Sequence, residues 1–134
     1  TYPEWIQRRF LKDVPASLSD PTADPDRDQQ NNLLEYFAGL NPLVAENLPM
    51  TSHTWSNGTL LFTHPRRLSP VTDILATVEI STDLETWNSG AAFTEILETN
   101  PGNDGVTVVH GAKQEAFKAS RSLFMRLKVE LVAP

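Results

Sequence analysis

The 134-residue chain has room for one ordinary domain, or for a small structured arm docked on a domain of about 100 residues. Its 17 acidic against 11 basic side chains give a formal charge of −6, with Arg8-Arg9 and Arg66-Arg67 the only tight basic pairs, which excludes nucleic acid as a main partner. The absence of cysteine rules out disulfides, zinc-thiolate sites and thiol nucleophiles, and no apolar run approaches the roughly 18 to 20 residues of a membrane-spanning helix.

Residues Pro3 to Leu11 predict a short helix, with Pro in the first turn and Trp5, Ile6 and Phe10 on one side. No signal peptide is legible at Thr1, as expected of a mature or excised segment or of a chain made without one. Pro15 and Pro21 limit the helix, and Asp13 to Ala23, which lacks periodicity, reads as a connector.

The segment Asp24 to Glu35 carries the clearest chemistry. Hard cations such as calcium take six to eight oxygens, and an EF-hand loop of twelve residues supplies them from positions 1, 3, 5, 7, 9 and 12. Here those positions are Asp24, Asp26, Asp28, Gln30, Asn32 and Glu35. The aspartates offer side-chain oxygens, Gln30 its backbone carbonyl, Asn32 a side-chain or water-mediated contact, and Glu35 both carboxylate oxygens. An acidic, solvated turn with a helix N-cap is the plainer reading, since Asp and Asn favour such places. Asp at alternate positions, with Asn ninth and Glu twelfth, is far more specific than acidity alone.

Two features depart from the standard loop. Gln29 stands sixth, where Gly normally allows the sharp turn, and holding a non-Gly residue at positive φ costs roughly 1 kcal/mol or more. Pro21 prevents a continuous entering helix, so a one-helix version with a structural ion is expected, not a switch that opens a groove. Leu33, Leu34, Phe37 and Leu40 then recur at helical spacing, and Gly39 followed by Asn41-Pro42 stops a second short helix.

From about Met50 the period changes to two. Asn57-Gly58 sits between two short runs and predicts a hairpin, because both central residues of the favoured two-residue turn need positive φ. Val78 and Ile80 alternate with Thr77, Glu79 and Ser81; Leu123, Met125, Leu127, Val129 and Leu131 alternate with Phe124, Arg126, Lys128 and Glu130. Runs near Ala92 to Thr99 and Val106 to His110, joined by the turn-rich 100–105, bring the expected total to about six strands, enough for a small antiparallel sandwich.

The stretch from Asp24-Pro25-Asp26-Arg27-Asp28 through Asn32, Glu35 and Tyr36 to Asn41-Pro42 resembles the Asp-Pro-Asp-Gly-Asp-Gly-x-x-Asn-x-x-Glu-Tyr motif of thrombospondin type-3-like and dockerin-like calcium repeats. Arg27 and Gln29 replace that motif's two glycines. The chain as a whole is similar to a C-terminal module of large exported proteins from Verrucomicrobia and related bacteria. There the calcium motif precedes a β region with a strand like Thr-Val-Glu-Ile-Ser-Thr-Asp-Leu-Glu-Thr-Trp, here residues 77–87, and a closing aromatic-Met-Arg-Leu-Lys-Val strand, here 124–129. The resemblance implies an exported, non-catalytic module. A dockerin carries two such loops, and the single loop here disfavours cohesin docking.

No active site is expected. His53, His64 and His110 fall on separate candidate strands without a His-x-x-x-His or Glu-x-x-His spacing, and read as surface or strand histidines. There is no Gly-x-Ser-x-Gly elbow and no phosphate-cradling glycine loop. Trp5 and Trp87 read as packing residues; Trp55, beside the Asn-Gly turn, is the one expected to be exposed and available to a sugar ring.

These readings predict a mainly β chain with a small helical arm: residues 1–48 hold two short helices around the calcium loop, and 49–134 an antiparallel β sandwich. The expected role is a calcium-stabilised structural or adhesive module at the cell surface or outside the cell, where calcium is plentiful. The alternatives are a carbohydrate-binding module of an exported enzyme and a self-assembling subunit of a surface or filament structure, joined through open β edges.

Overall fold

The computed structural model describes residues 1–10, 13–47, 49–117 and 122–133. Helix α1 spans Tyr2–Phe10, α2 Ala16–Ser19 and α3 Asn32–Ala38. The strands are β1 Ser52–Ser56, β2 Thr59–Arg66, β3 Ile74–Ser81, β4 Asn88–Ser89, β5 Thr94–Pro101, β6 Val106–Ala112 and β7 Phe124–Leu131. They form two antiparallel sheets, one of four strands in the order β1-β2-β6-β5 and one of three in the order β4-β3-β7. The chain is therefore mainly β, with seven described strands where the alternation predicted about six. The unforeseen one, β4, is a two-residue rung on β3 through Glu79↔Ser89 and Ile80↔Asn88, too short to leave a period.

Helix α1 buries Tyr2, Trp5 and Ile6 and half-buries Phe10, as its spacing predicts; Leu11 lies outside the described residues. The expected connector is corrected at α2. Ala16–Ser19 closes one turn, in which the N–H groups of Leu18 and Ser19 both reach the Pro15 carbonyl. A single turn cannot show periodicity, and the chain leaves it at Asp20, ahead of Pro21. In α3, Asn31 caps the start by accepting from the Leu34 N–H at 3.0 Å. Gly39, at φ 80°, ends the helix by donating its N–H to Glu35 O at 2.8 Å.

The β1–β2 hairpin turns on Asn57 and Gly58, at φ 50° and 77°, as a primed two-residue turn requires. Alternation on β2 sends Leu60, Phe62 and His64 to one face. Leu60, Phe62 and Ala112 of the four-stranded sheet then meet Val78, Ile80 and Met125 of the three-stranded sheet, with Phe117, in one apolar core. A second cluster joins α1 to α3 through Tyr2, Trp5, Ile6 and Tyr36, with Ile74 at the start of β3 packed against it. Asp73 fastens this second cluster to the sheet: its carboxylate accepts the Tyr2 N–H at 2.6 Å and the Tyr36 hydroxyl at 2.9 Å. The helices thus dock on the strands through packing and a buried acid, and they hold the acidic loop at one end of α3.

Candidate metal centre

The loop between α2 and α3 is folded by its own aspartates. Asp24 accepts from the N–H of Asp28 at 3.2 Å and of Gln29 at 2.9 Å, Asp26 accepts from Asp28 N–H at 3.3 Å, and Asp28 accepts from Gln30 N–H at 2.8 Å. Two residues take the left-handed conformation, Arg27 at φ 62° and Gln29 at φ 75°. These are the two positions that hold glycine in the repeats the sequence resembles, so the loop keeps the turn and accepts the strain of side chains there. Asp28 also takes the Glu46 N–H at 2.9 Å on its second oxygen, which ties the segment after α3 back to the loop. The exit is fixed by Asn32 N–H on Ala23 O at 2.8 Å and Leu33 N–H on Pro21 O at 3.0 Å.

Asp24, Asp26 and Asp28 each bring one carboxylate oxygen within 4.8 Å of the others, a group that can hold a metal ion. Glu35 is not within that set, but it lies in the field of all three aspartates. Burial, then Asp26, Asp28, Asp24 and Glu46, push its carboxyl up to about 8. Asp26 is raised as well, by burial and then by Asp28.

The state of the remaining oxygens is more telling. Asp26 Oδ2, Gln30 Oε1, Asn32 Oδ1 and both Glu35 carboxylate oxygens are buried without a hydrogen-bond partner. Asn32 and Glu35 are 0% exposed. An ordinary buried oxygen finds a donor, and leaving one unmatched costs about 1–3 kcal/mol, more for a charged group. Five such oxygens on four of the six donor positions of one loop are not a solvated acidic turn. Asn32 is aligned by its amide nitrogen, which donates to Leu18 O at 2.8 Å and Asp20 O at 2.9 Å and so fixes which atom is left over. Gln30 adds a buried side-chain oxygen to the backbone carbonyl expected of its position.

Two groupings outside the loop were not legible in the sequence. His64 and His110 stack at 5.0 Å between ring centroids, with their Nε2 atoms 3.0 Å apart. Both side chains lie on the inner face because His110 stands opposite Phe62, two residues before His64. Burial lowers both imidazoles, His110 to about 4 with His64 adding to the effect. His53, exposed on β1, reaches Met125 O at 2.9 Å. Among the described residues only the aspartates form a group of three potential metal ligands. Trp5 is buried, Trp87 lies beneath the Arg126 guanidinium at 3.9 Å, and Trp55 is 58% exposed.

Compared with family models, curated proteins and solved structures, the chain matches none. No described helix is long and apolar enough to cross a membrane. The functional reading therefore stands on the site itself.

Proposed function

We propose that Asp24, Asp26, Asp28, Gln30, Asn32 and Glu35 bind one calcium ion whose role is structural, in a non-catalytic module that works at the cell surface or outside the cell. The reading is carried by the five buried, unpartnered oxygens around the aspartate group. All-oxygen donors favour hard cations, and a full set of carboxylates and amides from one loop suits calcium better than magnesium, which keeps most of its waters. The ion would neutralise the loop carboxylates and stabilise Glu35 as an anion where burial otherwise opposes it. The Asp28 to Glu46 contact extends the clamp from the loop to the segment that leads into β1.

Calorimetric titration of chelator-treated protein with calcium tests this directly. The expected result is one saturable site per chain, with magnesium much weaker; no binding heat and no protection against thermal unfolding would sink it. A second reading, glycan contact in an adhesive role, is favoured by the exposure of Trp55 on the edge strand β1. Its test is a glycan array probed with wild type and Trp55→Ala, where identical empty profiles remove it.

A further inference from the structure

A cleft of about 500 Å³ lies between α1 and the connection from β2 to β3. Its walls include Arg8 and Arg9 from the last turn of α1, Arg67 from beyond β2, and the rings of Trp5 and Tyr36. In a chain with only 11 basic residues and a net charge of −6, three arginines from two separate elements converge here.

None of the three forms an ion pair among the described residues. Two of them contact ring faces: Arg9 sits 5.9 Å from the Trp5 ring centroid and Arg67 sits 4.9 Å from that of Tyr36. Glu4, the carboxylate at the cleft, accepts from the Thr1 hydroxyl at 3.0 Å and is held low by its hydrogen bonds from Thr1 and in part by the Arg8 charge. The Trp5 side chain is buried, and its Nε1–H meets no acceptor.

Basic residues in the last turn of a helix complement its dipole, which would account for Arg8 and Arg9. It leaves Arg67 unexplained. Guanidinium groups only donate hydrogen bonds, so a ligand that satisfies all three must be an acceptor. The aromatic faces are already covered by guanidinium groups, which argues against stacking of a neutral ring. The cleft volume falls in the range of roughly 300–1,000 Å³ usual for small-molecule sites.

We propose that this cleft binds an oxyanion, a sulfate, phosphate or carboxylate group on a small solute, through Arg8, Arg9 and Arg67. Planar guanidinium forks match such oxygens bidentately, and convergence from two elements gives the site a shape that one helix end lacks. The proposal does not depend on an ion in the loop.

The test is titration of the whole chain with sodium sulfate, sodium acetate and sodium chloride at matched ionic strength, following the Trp5 indole N–H and the Arg67 amide by NMR. A saturable shift with sulfate or acetate and none with chloride is expected, and the stronger of the two oxyanions identifies a tetrahedral or a carboxylate-bearing solute. Arg67→Gln is expected to weaken binding at least tenfold. Because Arg67 also covers Tyr36, Arg8→Gln on the exposed side of α1 serves as a second variant, expected to weaken it several-fold. Lys128→Gln, which removes the same charge from β7, leaves binding unchanged. Shifts that are linear and equal for all three salts overturn the proposal, as does wild-type affinity in Arg8→Gln or in a folded Arg67→Gln.

Discussion

Glu35 and Asp73 are both buried acids, 0% and 4% exposed, and the same turn of α3 serves both, because Glu35 is followed directly by Tyr36, whose hydroxyl bonds Asp73. Asp73 has each oxygen matched, Oδ2 by Tyr2 N–H and Oδ1 by the Tyr36 hydroxyl. Glu35 has neither oxygen matched. Burial pushes both carboxyls up. At Asp73 the two donors outweigh it and hold the group below its ordinary value, whereas at Glu35 the neighbouring carboxylates reinforce it. Where the fold joins helix to sheet, the chain supplies its own donors; where the loop meets α3, Glu35 keeps unmatched oxygens beside three aspartates that can hold a metal ion.

The strongest way to break this comparison is Asp73→Ala. It strands a buried N–H and a buried hydroxyl and opens the α1–α3 docking, with an expected loss of about 3 kcal/mol or more in chemical denaturation, not restored by calcium. A loss under about 1 kcal/mol would mean that Asp73 is not the anchor. Glu35→Gln is expected to behave in the opposite sense. It should abolish the thermal stabilisation by calcium, which for wild type is about 2.7 kcal/mol at one hundred times Kd, yet leave the chelated protein about as stable as wild type below pH 8, where Glu35 is already protonated. Equal calcium responses in the two proteins would show that Glu35 is not a ligand.

Proton linkage sharpens the contrast further. In ion-free protein Glu35 titrates near 8, above the 4.5 of an unperturbed Glu, so its contribution to stability is fully favourable below 4.5 and falls as pH rises to 8. Asp73, held low, contributes stability that is present above its ordinary 3.8 and is lost as pH falls through its folded value. Calcium must displace the Glu35 proton. Below pH 8, binding should therefore release about one proton, and affinity should drop about tenfold per pH unit, as read by calorimetry in buffers of different ionisation heat. Affinity independent of pH between about 6 and 8 would contradict the assignment. The smallest effect is expected from Gln29→Gly, which relieves the left-handed residue at φ 75°. The gain is on the order of 1 kcal/mol, or about fivefold in affinity, partly offset in overall stability because Gly enlarges the unfolded ensemble. Matched titrations with equal constants would show that the strain is borne elsewhere.

How much of this was legible follows from which features are local. Asp24, Asp26 and Asp28 alternate in sequence, so their convergence is a property of the loop itself, and Asn57-Gly58 encodes its turn in two residues. Helix α3 was legible from Leu33, Leu34 and Phe37, but its innermost side only from the loop pattern that singles out Asn32 and Glu35: Leu33 and Leu34 are half-buried while Asn32 and Glu35 are 0% exposed. Hydrophobic spacing marks polar residues as outward, and it fails where polar groups face a site. Asp73, in the polar run Ser69-Pro70-Val71-Thr72-Asp73, and the His64–His110 pair were invisible because their partners are distant in sequence. Leu84, at φ 65°, is held by donating its N–H to Ser81 Oγ at 2.8 Å, in a turn that Asp83 ties by accepting from Glu85 and Thr86 N–H. A leucine gives no hint of such a backbone.

The anchor at Asp73 has a mechanical corollary. Its carboxylate holds Tyr2, and its backbone carbonyl accepts the Val132 N–H at 3.0 Å, so residues 2 and 132 are pinned to one point. Tension entering the module through residues that flank those two is borne first by these few bonds at the mouth of β3. It reaches the loop only after they part. The load path thus bypasses Asp24 to Glu35: a chain pulled through residues 2 and 132 loads the bonds at Asp73 before the loop.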